Sequence, residues 1–244
     1  GENMKVLVLG GNGATGIHVV EQLLENNADV KTIVRNSAKL KSLENRENLE
    51  IITASFLDMD DAELSEVLND VDAIVSCLGH NTTLKGIWGR PYRLVTDAIT
   101  KVCESIRMKD TGKVTKLILM NTTACLDVDA QEEFTTAEGI VLGIMRFVLP
   151  PQRDNEQAVN YLKHAIGKND RSIEWIAVRP DTLIDEEDVT SYSVHNSPVR
   201  SPVFNAGKTS RINVGNFMTN LLCNDEQWER WTYQMPVMYN ETSQ

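Results

Sequence analysis

The chain has 244 residues, 41% hydrophobic and 24% charged, with 14 Gly and 7 Pro, proportions that exclude disordered and fibrous classes. A length of 244 residues supports one large hydrophobic core, so a single domain over residues 4–240 is expected. The formal charge of -11, from 24 Lys and Arg against 35 Asp and Glu, argues against a nucleic-acid partner, while a phosphate site needs only a few local donors.

The first half repeats one rhythm: a short apolar run rich in β-branched residues, a turn, then a stretch of helical periodicity. Strands are predicted at Lys5–Leu9, Val30–Val34, Glu50–Ala54, Asp72–Cys77, Lys116–Met120 and Ser172–Val178. Helices are predicted at Ala14–Asn26, Ala38–Asn45, Ala62–Asn69, Pro91–Met108 and, after a break at Pro150-Pro151, Asp154–Lys168. Near-continuous apolar strands are what a parallel sheet covered on both faces requires. The expected fold class is therefore α/β, a doubly wound parallel sheet of Rossmann-like type.

Two segments depart from the rhythm. Residues Leu126–Leu149 join an acidic stretch to an apolar one and are too long for an ordinary connection. An inserted helix packing on the core is the plainer reading, and a substrate flap or oligomer contact the sharper one. From Asp181 the pattern becomes irregular, with a solvated acidic cluster at Asp185–Asp188, a helix near Val214–Cys223 and a last strand near Trp231–Met235, forming a small substrate-side region.

The four cysteines, Cys77, Cys103, Cys125 and Cys223, lie far apart with no metal-ligand spacing, so no metal site is expected, and the three that fall inside apolar stretches read as small reduced hydrophobes. No apolar run approaches the ~20 residues that span a bilayer, and no signal-peptide profile precedes the first strand. A cytoplasmic protein without a membrane partner is the expectation.

The strongest signal is the strand Lys5–Leu9 running into Gly10-Gly-Asn-Gly13-Ala-Thr-Gly16 and then into an amphipathic helix. At a first βα turn Gly10 permits the sharp bend, Gly13 leaves room for a phosphate, and Gly16 lets the helix lie close to the strand. A helix N-terminus presents free N–H groups to an anion. Gly10, Asn12, Gly13, Ala14, Thr15 and Gly16 are thus the expected pyrophosphate contacts of a dinucleotide. The residue after the second strand separates NAD from NADP, because a carboxylate accepts the ribose 2′-OH whereas an arginine pairs with a 2′-phosphate. Arg35 stands there, so NADP(H) is favoured over NAD(H).

The spacing G-x-x-G-x-x-G, with DAIVSCLG at Asp72–Gly79 and IEWIAVRPDTL at Ile173–Leu183, resembles the atypical short-chain dehydrogenase/reductases, specifically their NmrA-like and flavin/biliverdin reductase-type branch. The likeness runs to about Leu183. It implies that Ser55 and Phe56 lie beside the adenine, that Cys77, Leu78 and Gly79 line the ribose and pyrophosphate, and that Arg179 and Pro180 flank the nicotinamide. The family's usual Gly-Asp after the third strand is replaced here by Ala54-Ser55-Phe56.

Most short-chain reductases use a Tyr with a Lys four residues later. None of the five tyrosines has one. Tyr161, with Lys163 and His164 near it, is a candidate on the helix that flanks the nicotinamide. Thr122 and Thr123, after the fifth strand, offer hydroxyls to a substrate; the plainer reading is that they are turn formers. His80, followed by Asn81 and Thr82, can donate a proton near neutral pH or be simply exposed. Asp154 and Glu156 near a helix start are explained by the helix dipole.

The expected function is an NADP(H)-binding oxidoreductase that passes hydride to a planar small-molecule acceptor such as a quinone, flavin or enone. The alternative is a non-catalytic NAD(P)-sensing, NmrA-like regulator that signals through a protein partner. A sugar-nucleotide epimerase is disfavoured because it needs the absent Tyr and Lys. The oligomeric state is open.

Overall fold

The structure, a computed structural model, describes residues 2–79 and 93–242. Its centre is an eight-stranded sheet in the order β3-β2-β1-β4-β5-β6-β10-β8. The strands are β1 (Lys5–Leu9), β2 (Asp29–Val34), β3 (Leu49–Thr53), β4 (Ala73–Ser76), β5 (Thr115–Met120), β6 (Ile173–Pro180), β8 (Tyr192–His195) and β10 (Val237–Asn240). All neighbours run parallel except β8, which is antiparallel to β10. A two-stranded parallel sheet of β7 (Thr182–Ile184) and β9 (Lys208–Ser210) sits beside it.

Each central strand alternates between two buried layers, which is why its sequence is apolar throughout. Leu7 and Leu9 of β1 join a core with α2 (Asp61–Val67), α3 (Leu94–Lys109) and α5 (Pro150–Tyr161). Val6 and Val8 join the opposite core, with α1 (Gly16–Glu25), α6 (Arg211–Cys223) and α7 (Asp225–Trp231). The fold is thus the expected α/β, doubly wound sheet, and the direction of winding reverses between β1 and β4, where a crevice opens above the strand ends.

Helix α1 is clasped by the far end of the chain. Gln22 Nε2 donates to Ile212 O at 3.0 Å, Asn216 Nδ2 donates to Gln22 Oε1 at 3.2 Å, and a Cβ at Gly215 would stand 3.0 Å from His18 Cβ.

Several elements differ from expectation. The prolines at 150 and 151 do not break a helix. They open α5, because the first turn needs no N–H donor there. That helix continues as a π-helical turn, Leu162–Ile166, and stops at Gly167 with φ +69°. The stretch Ala38–Leu43 is a 3-10 helix. The last strand lies at Val237–Asn240 rather than Trp231–Met235. Trp228 and Trp231 are three apart and both buried, a helical spacing, and the Asn224 side chain caps their helix by accepting from Gln227 N. The long helix described from Leu94 was expected from Pro91, which lies outside the described residues.

The Leu126–Leu149 stretch contains a 3-10 turn, Val128–Ala130, and the helix α4 (Thr136–Val148), started by a capping box between Thr135 and Glu138. Leu142 is buried, while Ile140, Ile144 and Phe147, at 59%, 58% and 83% exposure, form a solvent-facing apolar stripe. Among the described residues no helix is long and apolar enough to cross a membrane, and no His, Cys, Asp and Glu group is arranged to hold a metal.

Candidate dinucleotide site

The site is built at the carboxyl ends of β1 to β6. Gly10 has φ +73°, in the left-handed region, and a Cβ there would meet the Cys77 carbonyl at 3.0 Å and Leu78 N at 3.1 Å. The glycine turn and the end of β4 therefore touch backbone to backbone. A Cβ on Gly16 would lie 2.0 Å from Gly10 O, so only glycine lets α1 fold back on the turn. Gly13 has a single neighbour, Gly10 O at 3.2 Å, and otherwise faces open space. Gly11 needs to be glycine as well, since a Cβ would strike Thr32 Oγ1 at 2.2 Å. That position was missed because it makes no phosphate-turn pattern and depends on a side chain of β2.

Among the described residues the N–H groups of Ala14, Thr15 and Gly16 have no partner, and α1 carries no side-chain cap. A space beside Gly13 bordered by unpaired N–H donors at a helix start fits a pyrophosphate. The Asn12 side chain donates to Asn36 O at 3.0 Å, which ties the glycine turn to the loop after β2. Arg35, in that loop, is exposed, and no described residue pairs with it. Lys39, also exposed, follows four residues later. At the neighbouring strand end Ala54 N donates to Val34 O at 2.9 Å, so Ser55 and the buried Phe56 stand next to the Arg35 loop.

On the other side of the switch point, β5 and β6 bring Thr122, Thr123, Arg179 and Pro180 together. Asn121 N donates to Val178 O at 2.7 Å, and Asn121 Nδ2 to Asn155 O on α5 at 3.0 Å. Thr122 is half-buried, and its hydroxyl accepts from Ala124 N at 3.3 Å. Thr123 is buried and donates its hydroxyl to Asp181 Oδ1 at 3.2 Å, while Asp181 also accepts from Thr182 N and Gly207 N. The Thr123 oxygen is thereby left as an acceptor.

The Arg179 guanidinium is fully buried, and all five of its N–H donors are used. Met235 O, Cys125 O and Asn196 O accept three of them, and Glu132 takes the other two in a bidentate pair at 2.7 and 2.7 Å. Burial works to raise the Glu132 pKa, but the Arg179 hydrogen bonds and charge outweigh it and hold the carboxyl below its ordinary value. Glu132 sits in the inserted stretch and was not singled out from the sequence, because its partner lies 47 residues away. A second ion pair, Lys163 with Asp127, fastens the same stretch to the end of α5.

Tyr161 is not part of this group. Asn155 is level with the strand ends, and Tyr161 is six residues, or about 9 Å, further along α5. Its ring packs on the core beside Cys103 and Arg107, and burial, foremost, pushes its phenol up to about 12. Asp154 corrects its expected reading. It does not open its own helix but lies within α5, buried, where its carboxylate accepts from Val95 N and Thr96 N at 2.9 Å and caps α3. His80, Asn81 and Thr82 lie outside the described residues, while Gly79 is exposed.

No curated protein sequence matches the chain. Among solved structures, it is similar to a Streptococcus pneumoniae protein described as an NADH-flavin reductase, with 16% identity and TM-score 0.66 over 98% of this chain and 100% of that one. A short-chain dehydrogenase/reductase from Veillonella parvula, solved in complex with NADP, shares 12% identity and TM-score 0.68 over 98% and 95% of the two chains. The anaerobilin reductase ChuY of Escherichia coli O157:H7 shares 15% identity and TM-score 0.66 over 99% of each. These likenesses show an α/β, Rossmann-like fold. The family model described as NAD(P)H-binding matches residues 10–225, and on that match the chain belongs to the NAD(P)H-binding family.

Proposed function

We propose that the protein is an NADP(H)-dependent reductase that reduces a planar, delocalised acceptor such as a quinone, flavin or enone. The observation that carries the cofactor preference is Arg35, an exposed cation with no described partner, at the β2 end and tied to the glycine turn through Asn12 and Asn36. With Lys39 nearby it supplies the charge that a ribose 2′-phosphate needs and a bare 2′-hydroxyl does not. The N–H groups of Ala14, Thr15 and Gly16 would hold the pyrophosphate, Ser55 and Phe56 would flank the adenine, and Cys77, Leu78 and Gly79 would line the crevice between.

When bound, NADPH supplies the hydride. The chain's part is positioning: Thr122 and Thr123 sit where the nicotinamide or substrate would be oriented, and Thr123 acts as an acceptor because Asp181 takes its proton in a hydrogen bond. Arg179 shapes that end of the site through Glu132 and the backbone rather than by a free guanidinium. A delocalised acceptor fits a site without a Tyr and Lys pair, since a proton from solvent completes the reduction. The reductase names of two structural neighbours agree with this reading. We further read residues 4–240 as one domain, and the four free cysteines as suited to a reducing cytoplasm.

Titration with NADPH and NADH, following nicotinamide fluorescence, tests the preference. NADPH should bind more tightly by at least about tenfold, and Arg35→Ala should remove that difference. Equal or tighter NADH binding sinks it. Loss of nicotinamide absorbance with a panel of quinones, flavins and enones tests turnover; binding without turnover of any member would instead favour the cofactor-sensing alternative.

A further inference from the structure

We propose that Lys101 is a positioning residue for the adenosine half of the cofactor. This rests on the dinucleotide reading above. In a doubly wound sheet the first βα turn takes the pyrophosphate and the β2 end the adenosine ribose. The adenine then falls at the next strand end outward, that of β3, which is the short 3-10 turn Phe56–Asp58.

That turn has no side-chain cap of its own. Lys101, reaching across from α3, closes it. Its ammonium donates to Phe56 O and Leu57 O at 3.1 Å each and to Met59 O, and it stands 5.5 Å from the centre of the Phe56 ring. One cation therefore gathers three carbonyls, the charge complement of a helix carboxyl end, and holds the ring between them. With the carbonyls drawn toward α3, the turn keeps two backbone donors for a ligand: among the described residues the N–H groups of Phe56 and Leu57 have no partner, and the exposed Asp58 carboxylate follows them as an acceptor. Adenine offers acceptor ring nitrogens to such donors. Lys101 sets the direction in which they point, and it does so without touching the cofactor.

The test compares the wild type with Lys101→Met and Lys101→Arg in calorimetric titrations with NADPH, 2′,5′-ADP and reduced nicotinamide mononucleotide. Lys101→Met should weaken NADPH and 2′,5′-ADP by the same factor, about tenfold or about 1.4 kcal/mol. The nicotinamide fragment should bind unchanged, and Lys101→Arg should recover most of the loss. A purely structural role would lower thermal stability without this split between the two halves. If Lys101→Met does not fold, Lys101→Gln, which keeps two donors, replaces it. Unchanged 2′,5′-ADP affinity, or equal loss for both fragments, overturns the proposal while leaving the dinucleotide reading intact. A wild type that binds neither NADPH nor NADH overturns both.

Discussion

Replacing Glu132 by glutamine keeps the shape of the side chain and removes the charge that faces Arg179. The guanidinium is fully buried and the Glu132 side chain is 7% exposed, so the two 2.7 Å hydrogen bonds between them are shielded from water. A glutamine offers one acceptor and turns an NH2 group toward donors that cannot accept. Removing one partner of a buried pair costs about 3 to 5 kcal/mol. The lower end, about 3 kcal/mol, applies here because three Arg179 donors keep the carbonyls of Met235, Cys125 and Asn196. Urea unfolding, with stability from linear extrapolation, measures this. The sign of the pH dependence follows from the lowered Glu132 pKa. The folded value lies below the unfolded one, so the contribution is complete above the unfolded value of about 4.5 and is lost as pH falls through the folded value. The variant should therefore lack an acid-sensitive part of the wild-type stability. A loss under about 1 kcal/mol, or the same acid sensitivity in both proteins, would refute the reasoning.

Other consequences are open to simpler checks. Gly16→Ala places a Cβ 2.0 Å from Gly10 O, a backbone atom that cannot give way, so it should cost about 3 kcal/mol or more and abolish dinucleotide binding; a stable variant with wild-type affinity would contradict the turn geometry. Thiol titration of the native protein should modify Cys223 alone, and unfolding should release the other three, because Cys77, Cys103 and Cys125 are buried, with the Cys77 thiol pushed up to about 12 by desolvation. Rapid labelling of more than one thiol would show a looser core. Tyr161→Phe should leave turnover unchanged, and a large fall in kcat with unaltered folding would return that phenol to the chemistry. Phe147→Ser should shift stability by no more than about 0.5 kcal/mol, since the ring is 83% exposed.

What could be read from the sequence is what local backbone physics dictates. The strands β1, β2, β4 and β5 declare themselves because a covered parallel strand has no polar face, and the glycine turn because left-handed and close-packed positions accept only glycine. Arg35 is legible because its neighbours along the chain place it after β2. The rest depends on contacts between distant residues. Nothing near Glu132 in the chain points to Arg179, and nothing near Lys101 points to Phe56. Trp231–Met235 reads as a strand because so short a run carries too few residues to show its period, and packing decides it. Pro150-Pro151 reads as a stop when it is a start, since proline is excluded from a helix only after its first turn.

The clasp between α1 and α6 sets the order in which the molecule can be completed. The glycine turn lies near the beginning of the chain, yet the helix that aims its N–H groups is held by Ile212, Gly215 and Asn216, residues some 190 positions later. During synthesis β1 and α1 emerge well before residues 211–223 and lack this buttress until α6 has left the ribosome. A chain cut before Arg211 should therefore form much of its sheet while remaining unable to grip a dinucleotide, so cofactor capture waits on α6 and does not follow from the first strands alone.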